Sequence, residues 1–448
     1  MIKNRGSSIL ESECAICRNN KAFDMPEELI EAATNGDLVL FCGAGISTEN
    51  RLVLPETFYE SVKEEMGIDN KDISFSELME LYCEQPNGRK KLLKKISDRF
   101  HYIQSFPEIE RQATMFHAEL KDIYQIRTII TTNWDNYFED YCDAMPITIP
   151  EDFTFWDEKS RFVLKIHGSF DNLSSVVATK QDYDKCLERL QNGIIGATLK
   201  NILVTKTVVF IGFSFGDDDL NMIIDYLRNE LGDLYPHIYY VSLDESLKDR
   251  LMYKNSTSIV TSGVFFIHCL KEILTQKGLL CNMSSEYIIK EACYMIEMLH
   301  KRVSEISLKD SPCVIYTLAY QDGVIHAWER YLKCKTGEYN RPNHVVQLIY
   351  AYEKEVDKKK NDGNYWDSSY FQGYLEGLSL IEICDKDPDA VKVFPFLFLP
   401  NAKRTLDSFD VYMDELKRVS NGSGKYVRYA KQIVRDKGDE VVVHHPPY

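Results

Sequence analysis

Short apolar, β-branched runs recur through the first part of the chain, separated by longer stretches in which apolar residues return at helical spacing. The runs at Asp37–Cys42, Arg127–Thr132, Phe162–Ile166 and Thr207–Gly212 read as strands, with His237–Ser242 and Gly263–His268 as further candidates. Thr207–Gly212 is nearly all apolar, the signature of a strand covered on both faces. A helix is expected to begin at Pro26 and stop near Gly36, because proline suits a first turn and glycine a helix end. Another begins near Pro55-Glu56-Thr57, and a third is expected over Leu220–Leu231. Alternation of this kind predicts an α/β fold, a Rossmann-like, doubly wound parallel sheet.

Two regions break the alternation. Residues 75–123 carry Leu78, Leu81, Leu92, Leu93 and Ile96 among many charges, which predicts a helical insertion or cap. After about residue 275 the strand-and-glycine pattern stops. Glu286–Ile306, His344–Lys360 and Tyr370–Cys384 then read as helices. The expected organisation is a tail over 1–24, a nucleotide-binding α/β domain over 25–275, and a mainly α-helical C-terminal domain over 276–448. That last domain would serve assembly or regulation, and its end, Asp436–Tyr448, is expected to be loosely ordered.

Composition narrows the function classes. Hydrophobic residues are 44% of 448 and charged residues 27%, ordinary for a globular chain. A net charge of −16 gives no overall field for nucleic acid, so direct nucleic-acid binding is not expected. No apolar run approaches the ~20 residues of a membrane span, and Met1–Asn20 has no secretory apolar stretch. A cytoplasmic location follows as an expectation. The 12 cysteines are scattered, and the pair Cys14-x-x-Cys17 has no second pair nearby, so neither a metal nor zinc is expected.

The candidate chemistry sits where the strands end. Gly43-Ala44-Gly45 follows the first strand, and small residues there let backbone approach a pyrophosphate while N–H groups meet its oxygens. A plain tight turn uses the same residues. Thr48 stands where the dehydrogenase fingerprint has its third glycine, which argues against hydride transfer. Asn133, one step past the second strand, could cap a helix, as could Asp135, or place its amide in a cleft against a ribose hydroxyl or water. His167 precedes Gly168 at the third strand's end, and an imidazole there suits proton transfer near neutrality. Gly212-Phe213-Ser214 ends the fourth strand, with Asp217, Asp218 and Asp219 after it, one of which could contact a ribose or simply complement a helix dipole.

In this order the four clusters resemble the sirtuin superfamily. Gly43-Ala44-Gly45-Ile46-Ser47 is similar to its phosphate-binding Gly-Ala-Gly-x-Ser, and Thr132-Asn133-Trp134-Asp135 to its Gln/Thr-Asn-x-Asp. His167-Gly168 is similar to its His-Gly, and Gly212-Phe213-Ser214 to its Gly-x-Ser. The likeness covers about residues 25–275. Two departures count against protein deacylation. Cys186 alone lies between His167 and Gly212, where lysine-deacylating sirtuins have two Cys-x-x-Cys pairs. Leu52-Val53-Leu54-Pro55-Glu56 replaces their Gly-Ile-Pro-Asp-Phe-Arg. With Val177-Ala178-Thr179-Lys180-x-x-Tyr183 after the His-Gly, the pattern is closer to sirtuin-like proteins of bacterial antiphage defence.

That resemblance implies an NAD+ hydrolase releasing nicotinamide and ADP-ribose, with NAD+ as substrate and Asn133, His167 and Asp135 as catalytic residues. It implies that Gly43, Ala44, Gly45, Ser47, Thr132, Gly212 and Ser214 bind the dinucleotide. It further implies control by homo-oligomer assembly or by a partner such as a HerA-type ATPase. The competing readings are an NAD-dependent deacylase or ADP-ribosyltransferase, and a non-catalytic module that senses NAD or ADP-ribose.

Overall fold

The computed structural model describes residues 16–17, 20, 22–69, 73–157, 160–213, 225, 229, 231–232, 236–244, 255–281, 286–384 and 386–445. The chain divides into two compact units, Met1–Leu280 with Lys335–Gly337, and Cys281–Cys334 with Glu338–Tyr448.

The first unit is built on seven strands: β1 (Leu38–Cys42), β2 (Thr128–Thr131), β3 (Met145–Ile147), β4 (Phe162–Lys165), β5 (Thr207–Ile211), β6 (Ile238–Ser242) and β7 (Ser256–Val260). They form one parallel sheet in the order β3-β4-β2-β1-β5-β6-β7. The chain builds outward from β1 on one side, then crosses back to β5 on the other. The reversal opens a crevice at the carboxyl end of β1. Alternate residues of each strand point to opposite faces. Leu38, Leu40 and Cys42 join one core with Ile129, Val209 and Ile211. Val39 and Phe41 join another with Ile130, Leu164 and Phe210.

Helices cover both faces. On the first lie α1 (Glu27–Asn35), α5 (Pro107–Leu120) and, further along the chain, α9 (Gly263–Gln276). On the second lie α7 (Lys180–Asn192) and α8 (Ile194–Thr205). The α/β reading therefore holds. The stretch from 75 to 120 holds α3 (Phe75–Cys83), α4 (Gly88–Ser105) and α5. With α2 (Phe58–Met66), α3 and α4 enclose a separate core of Phe58, Val62, Leu78, Met79, Leu92 and Ile96. Half-buried Trp134 and Phe170, from the loops after β2 and β4, pack against that core and tie the insertion to the strand ends.

Three expectations are corrected. Gly263–His268 is not a strand but the start of α9. The Ser262 hydroxyl accepts the Phe265 N–H and caps it, and Phe266, Ile267, Leu270 and Leu274 recur at helical spacing. The seventh strand is the more polar Ser256–Val260, and Met145–Ile147 is an edge strand too short to show a period. The segment expected to be loose is held at His444, which is buried, its N–H donating to Asp322 Oδ2 at 2.6 Å and its Nε2 pairing with Asp367 Oδ1 at 3.0 Å. A buried carboxylate, Asp322, and a partly buried one, Asp367, thus fasten what its polar composition left loose. The helix expected over Leu220–Leu231 lies largely outside the described residues, as do the 1–24 tail and Cys14.

The second unit holds α10 (Glu286–Ser304), α11 (Val314–Lys333), α12 (His344–Asn361), α13 (Tyr365–Cys384), α14 (Pro388–Lys392), α15 (Phe409–Ser420) and α16 (Lys425–Lys437). Helices α11 and α13 cross closely: a Cβ at Gly373 would lie 1.8 Å from the Tyr320 carbonyl oxygen. Among the described residues no helix is long and apolar enough to cross a membrane.

One side chain ties down the amino end of the sheet. Arg161, 5% exposed, donates from Nε to Ile126 O at 2.9 Å and from its terminal nitrogens to Ile123 O at 2.7 Å and Cys142 O at 3.1 Å. Arg161→Met keeps the volume but strands those carbonyls. It is expected to lower unfolding free energy by about 2–4 kcal/mol, read by urea denaturation. A loss under about 0.5 kcal/mol, the range of an ordinary surface change, would show that the clamp is dispensable.

Candidate active site

Strand register sets the site. Cys42 pairs with Thr131 and with Ile211, and Thr131 pairs with Lys165. Ala44, Asn133, His167 and Phe213 therefore each stand two residues past one shared rung of four adjacent strands. The described parts of the four motifs are thus brought together at the carboxyl edge where the sheet order reverses. Ser214 and Asp217–Asp219 lie outside the described residues.

The glycines serve contact between the β1 and β5 loops. Gly43 N–H donates to Ile211 O and Gly45 N–H to Gly212 O, each at 2.9 Å. A Cβ at Gly45 would lie 2.7 Å from that Gly212 oxygen. Gly212 has φ +80°, and a Cβ there would lie 2.8 Å from Gly43 O. Ile46 and Ser47 N–H groups bond back into the same turn. The expectation of a run of N–H groups facing an anion is narrowed: among the described residues, Ala44 keeps the turn's one N–H without a partner.

Behind the turn a chain of polar groups links three motifs. Ser47 is fully buried and donates to Asp135 Oδ2 at 3.0 Å. Its oxygen accepts from Asn133 Nδ2 at 3.4 Å. Asn133 is 4% exposed, its N–H is held by Thr131 Oγ1 at 3.0 Å, and its Oδ1 is buried with no hydrogen bond. A buried, unused amide oxygen is an acceptor waiting for a hydroxyl or water. Asn133 does not cap a helix. Nor is Asp135 the N-cap of α6 (Tyr137–Cys142), which is Asn136; Asp135, one residue earlier, accepts the Tyr137 N–H on Oδ1 at 3.2 Å. Thr132, also buried, donates its N–H to Cys42 O at 3.2 Å and joins β2 to β1.

His167 is 2% exposed, with its ring edge-on to Tyr183 at 5.1 Å. One turn along α7, the Cys186 thiol donates to Ile166 O at 3.4 Å. Burial pushes that thiol up, but hydrogen bonding and charge from His167, with Arg189 beside them, bring it below the ordinary thiol value. Among the described residues no grouping of His, Cys, Asp or Glu is placed to hold a metal.

The residue that sequence reasoning passed over is Lys165. Its side chain is wholly buried, and Nζ donates to Asp135 O at 2.6 Å, Glu139 Oε1 at 2.8 Å and Asn136 Oδ1 at 3.1 Å. It clamps the turn that presents Asn133. The signal was present in the Lys165-Ile166-His167-Gly168 motif: a lysine inside an apolar strand needs buried acceptors. A second fastening comes from α4, where Arg99 donates to Thr48 O at 3.2 Å and Glu56 O at 2.9 Å and pairs with Glu49 at 3.2 Å. Burial raises the Glu49 carboxyl despite that partner.

Burial also raises the carboxyls of Asp135 and Glu139, with Lys165 opposing it in both. Removing the ammonium raises them further. A carboxyl with a raised folded-state pKa costs nothing below its unfolded value of about 4 and destabilises progressively as pH climbs past it. Lys165→Met is therefore expected to cost about 3–5 kcal/mol at neutral pH, with a smaller penalty at pH 5. Urea unfolding of both proteins at the two pH values measures this. A penalty that stays constant or grows on acidification would contradict the compensating role.

Residues 127–261 match the family model described as SIR2-like domain. The chain is 27% identical over 259 residues to Defense-associated sirtuin 2 of Bacillus subtilis, covering 52% of this chain and 23% of that protein. It is 29% identical over 212 residues to NAD(+) hydrolase ThsA of Enterococcus faecium, covering 44% of this chain and 41% of that one. Against NAD(+) hydrolase ThsA of Bacillus cereus (strain MSX-D12) it is 27% identical over 238 residues, 51% of this chain and 47% of that protein. The matches thus span less than half the length of each of these relatives. Register, the Gly-Ala-Gly turn and the family match agree: residues 127–261 of this chain are similar to the SIR2-like domain.

Proposed function

We propose that this protein hydrolyses NAD+ at the bond between nicotinamide and ribose, giving nicotinamide and ADP-ribose. The observation that carries this reading is the unused, buried Oδ1 of Asn133, which like His167 stands two residues past one shared rung of the sheet, in a region similar to proteins named NAD(+) hydrolase. The C1′–N bond breaks with its electron pair going to the pyridine nitrogen, which neutralises the ring. Water adds to C1′ and gives up a proton.

In this reading Asn133 Oδ1 holds the water or a ribose hydroxyl and His167 takes the proton. Ser47 and Asp135 keep the Asn133 amide aimed, and so act as positioning groups. The Gly43–Gly45 turn and Gly212 admit the pyrophosphate to close approach, with the Ala44 N–H on an oxygen. Thr132 and Ser214 complete the dinucleotide site. Positioned groups of this kind avoid the reorganisation that water would need around a forming oxocarbenium ion.

The reading extends to an antiphage effector in the cytoplasm that depletes NAD+. Its switch would be assembly with copies of itself or with a partner such as a HerA-type ATPase, supported by the likeness to a defence-associated sirtuin. The unit from Cys281 onward would serve that assembly.

Nicotinamide release from NAD+ tests the proposal, with Asn133→Ala and His167→Ala proteins that melt as wild type does. Each is expected to lose about 10²–10⁴ in rate. Wild-type turnover in either removes that residue from the chemistry. Formation of an O-acyl-ADP-ribose in place of ADP-ribose would overturn hydrolysis as the reaction.

A further inference from the structure

Helix α16 is basic in a chain of net charge −16: Lys425, Arg428, Lys431, Arg435 and Lys437 stand against Asp436 alone. Most of these cations are engaged. Arg428 donates to Ser423 O at 2.9 Å, Lys425 lies over the Tyr365 ring at 4.9 Å, and Lys437 over Trp366 at 5.4 Å. Lys431 and Arg435 differ. They share one helix face with Val434, and among the described residues neither has an ion pair or hydrogen bond.

That face looks across a cavity of about 760 Å³ at the turn following α10. The turn contributes a third cation, Lys309, likewise without an ion pair among the described residues. It also contributes Ser307, whose oxygen accepts Asp310 N–H at 3.3 Å and whose proton stays available to donate. Ile306, Leu308 and Val434 supply an apolar wall continuous with the helical core. The volume lies within the range of small-molecule sites.

Gly438 and Val442, which also line the cavity, precede a segment that is held in place at His444. His444 stacks on Tyr370 at 4.5 Å besides pairing with Asp322 and Asp367. The cavity is therefore built before any ligand arrives. Three cations around one space repel one another, and an anion converts that repulsion into binding.

We propose that this cavity binds a small organic phosphate carrying two or more negative charges, its anion on Lys309, Lys431 and Arg435 and its apolar part on Ile306, Leu308 and Val434. The site is separate from the SIR2-like domain and does not depend on the reaction proposed there.

The test uses the full chain with pyrophosphate and AMP as probes, read by hydrogen exchange and by calorimetry. Both probes are expected to slow exchange in 304–312 and 431–442. The Lys431→Gln/Arg435→Gln protein is expected to lose that protection and to bind the probes there about tenfold or more weakly, with an unchanged melt in their absence. Should that double variant fold poorly, Lys309→Gln is expected to weaken the same protection. Millimolar probe without protection in these segments, equal protection in the substituted proteins, or protection by single-stranded oligonucleotide alone would overturn the proposal.

Discussion

The buried ammonium of Lys165 is the interaction on which the candidate site rests. It reaches from the end of β4 to the turn after β2 and satisfies Asp135 O, Asn136 and Glu139 together. A cation with no solvent exposure is tolerated only when surrounded by acceptors. In return it fixes the turn that carries Asp135, and through Asp135 the Ser47 hydroxyl and the Asn133 amide. The loops after β1, β2 and β4 are thereby one polar assembly rather than three independent turns.

That assembly gives each conspicuous residue a narrower job than its identity suggests. Ser47 has no exposed surface, and its hydrogen bonds run to Asp135 and Asn133. Asp135 has both oxygens engaged. What is left over is the Asn133 Oδ1. The site is thus a rigid frame with few reacting groups, the arrangement expected where positioning and electrostatics supply most of the rate.

Much of the fold was legible because a parallel sheet buried on both faces writes itself as apolar runs. β1, β2, β4, β5 and β6 were each visible, and so were the loops at their ends. What escaped has physical causes. Met145–Ile147 is too short for a period, and Gly-Val-Phe-Phe-Ile at 263–267 reads as a strand until the Ser262 cap is weighed. The fastening of His444 depends on Asp322 and Asp367, distant in sequence, so no local pattern announces it. In the site, Asn133 and His167 stood out as residue types, whereas the burial of Lys165 and the internal use of the glycine-turn amides are tertiary facts.

The central claim is that Asn133 and His167 converge on one sugar carbon. The most direct measurement is a crystal structure with a non-hydrolysable NAD+ analogue in which carbon replaces the ribose ring oxygen. The pyrophosphate is expected over the Gly43–Gly45 turn and C1′ of the nicotinamide ribose between Asn133 Oδ1 and the His167 ring, with a hydroxyl or water within about 3 Å of that Oδ1. An analogue seated elsewhere, or with its nicotinamide ribose turned away from both side chains, would contradict it.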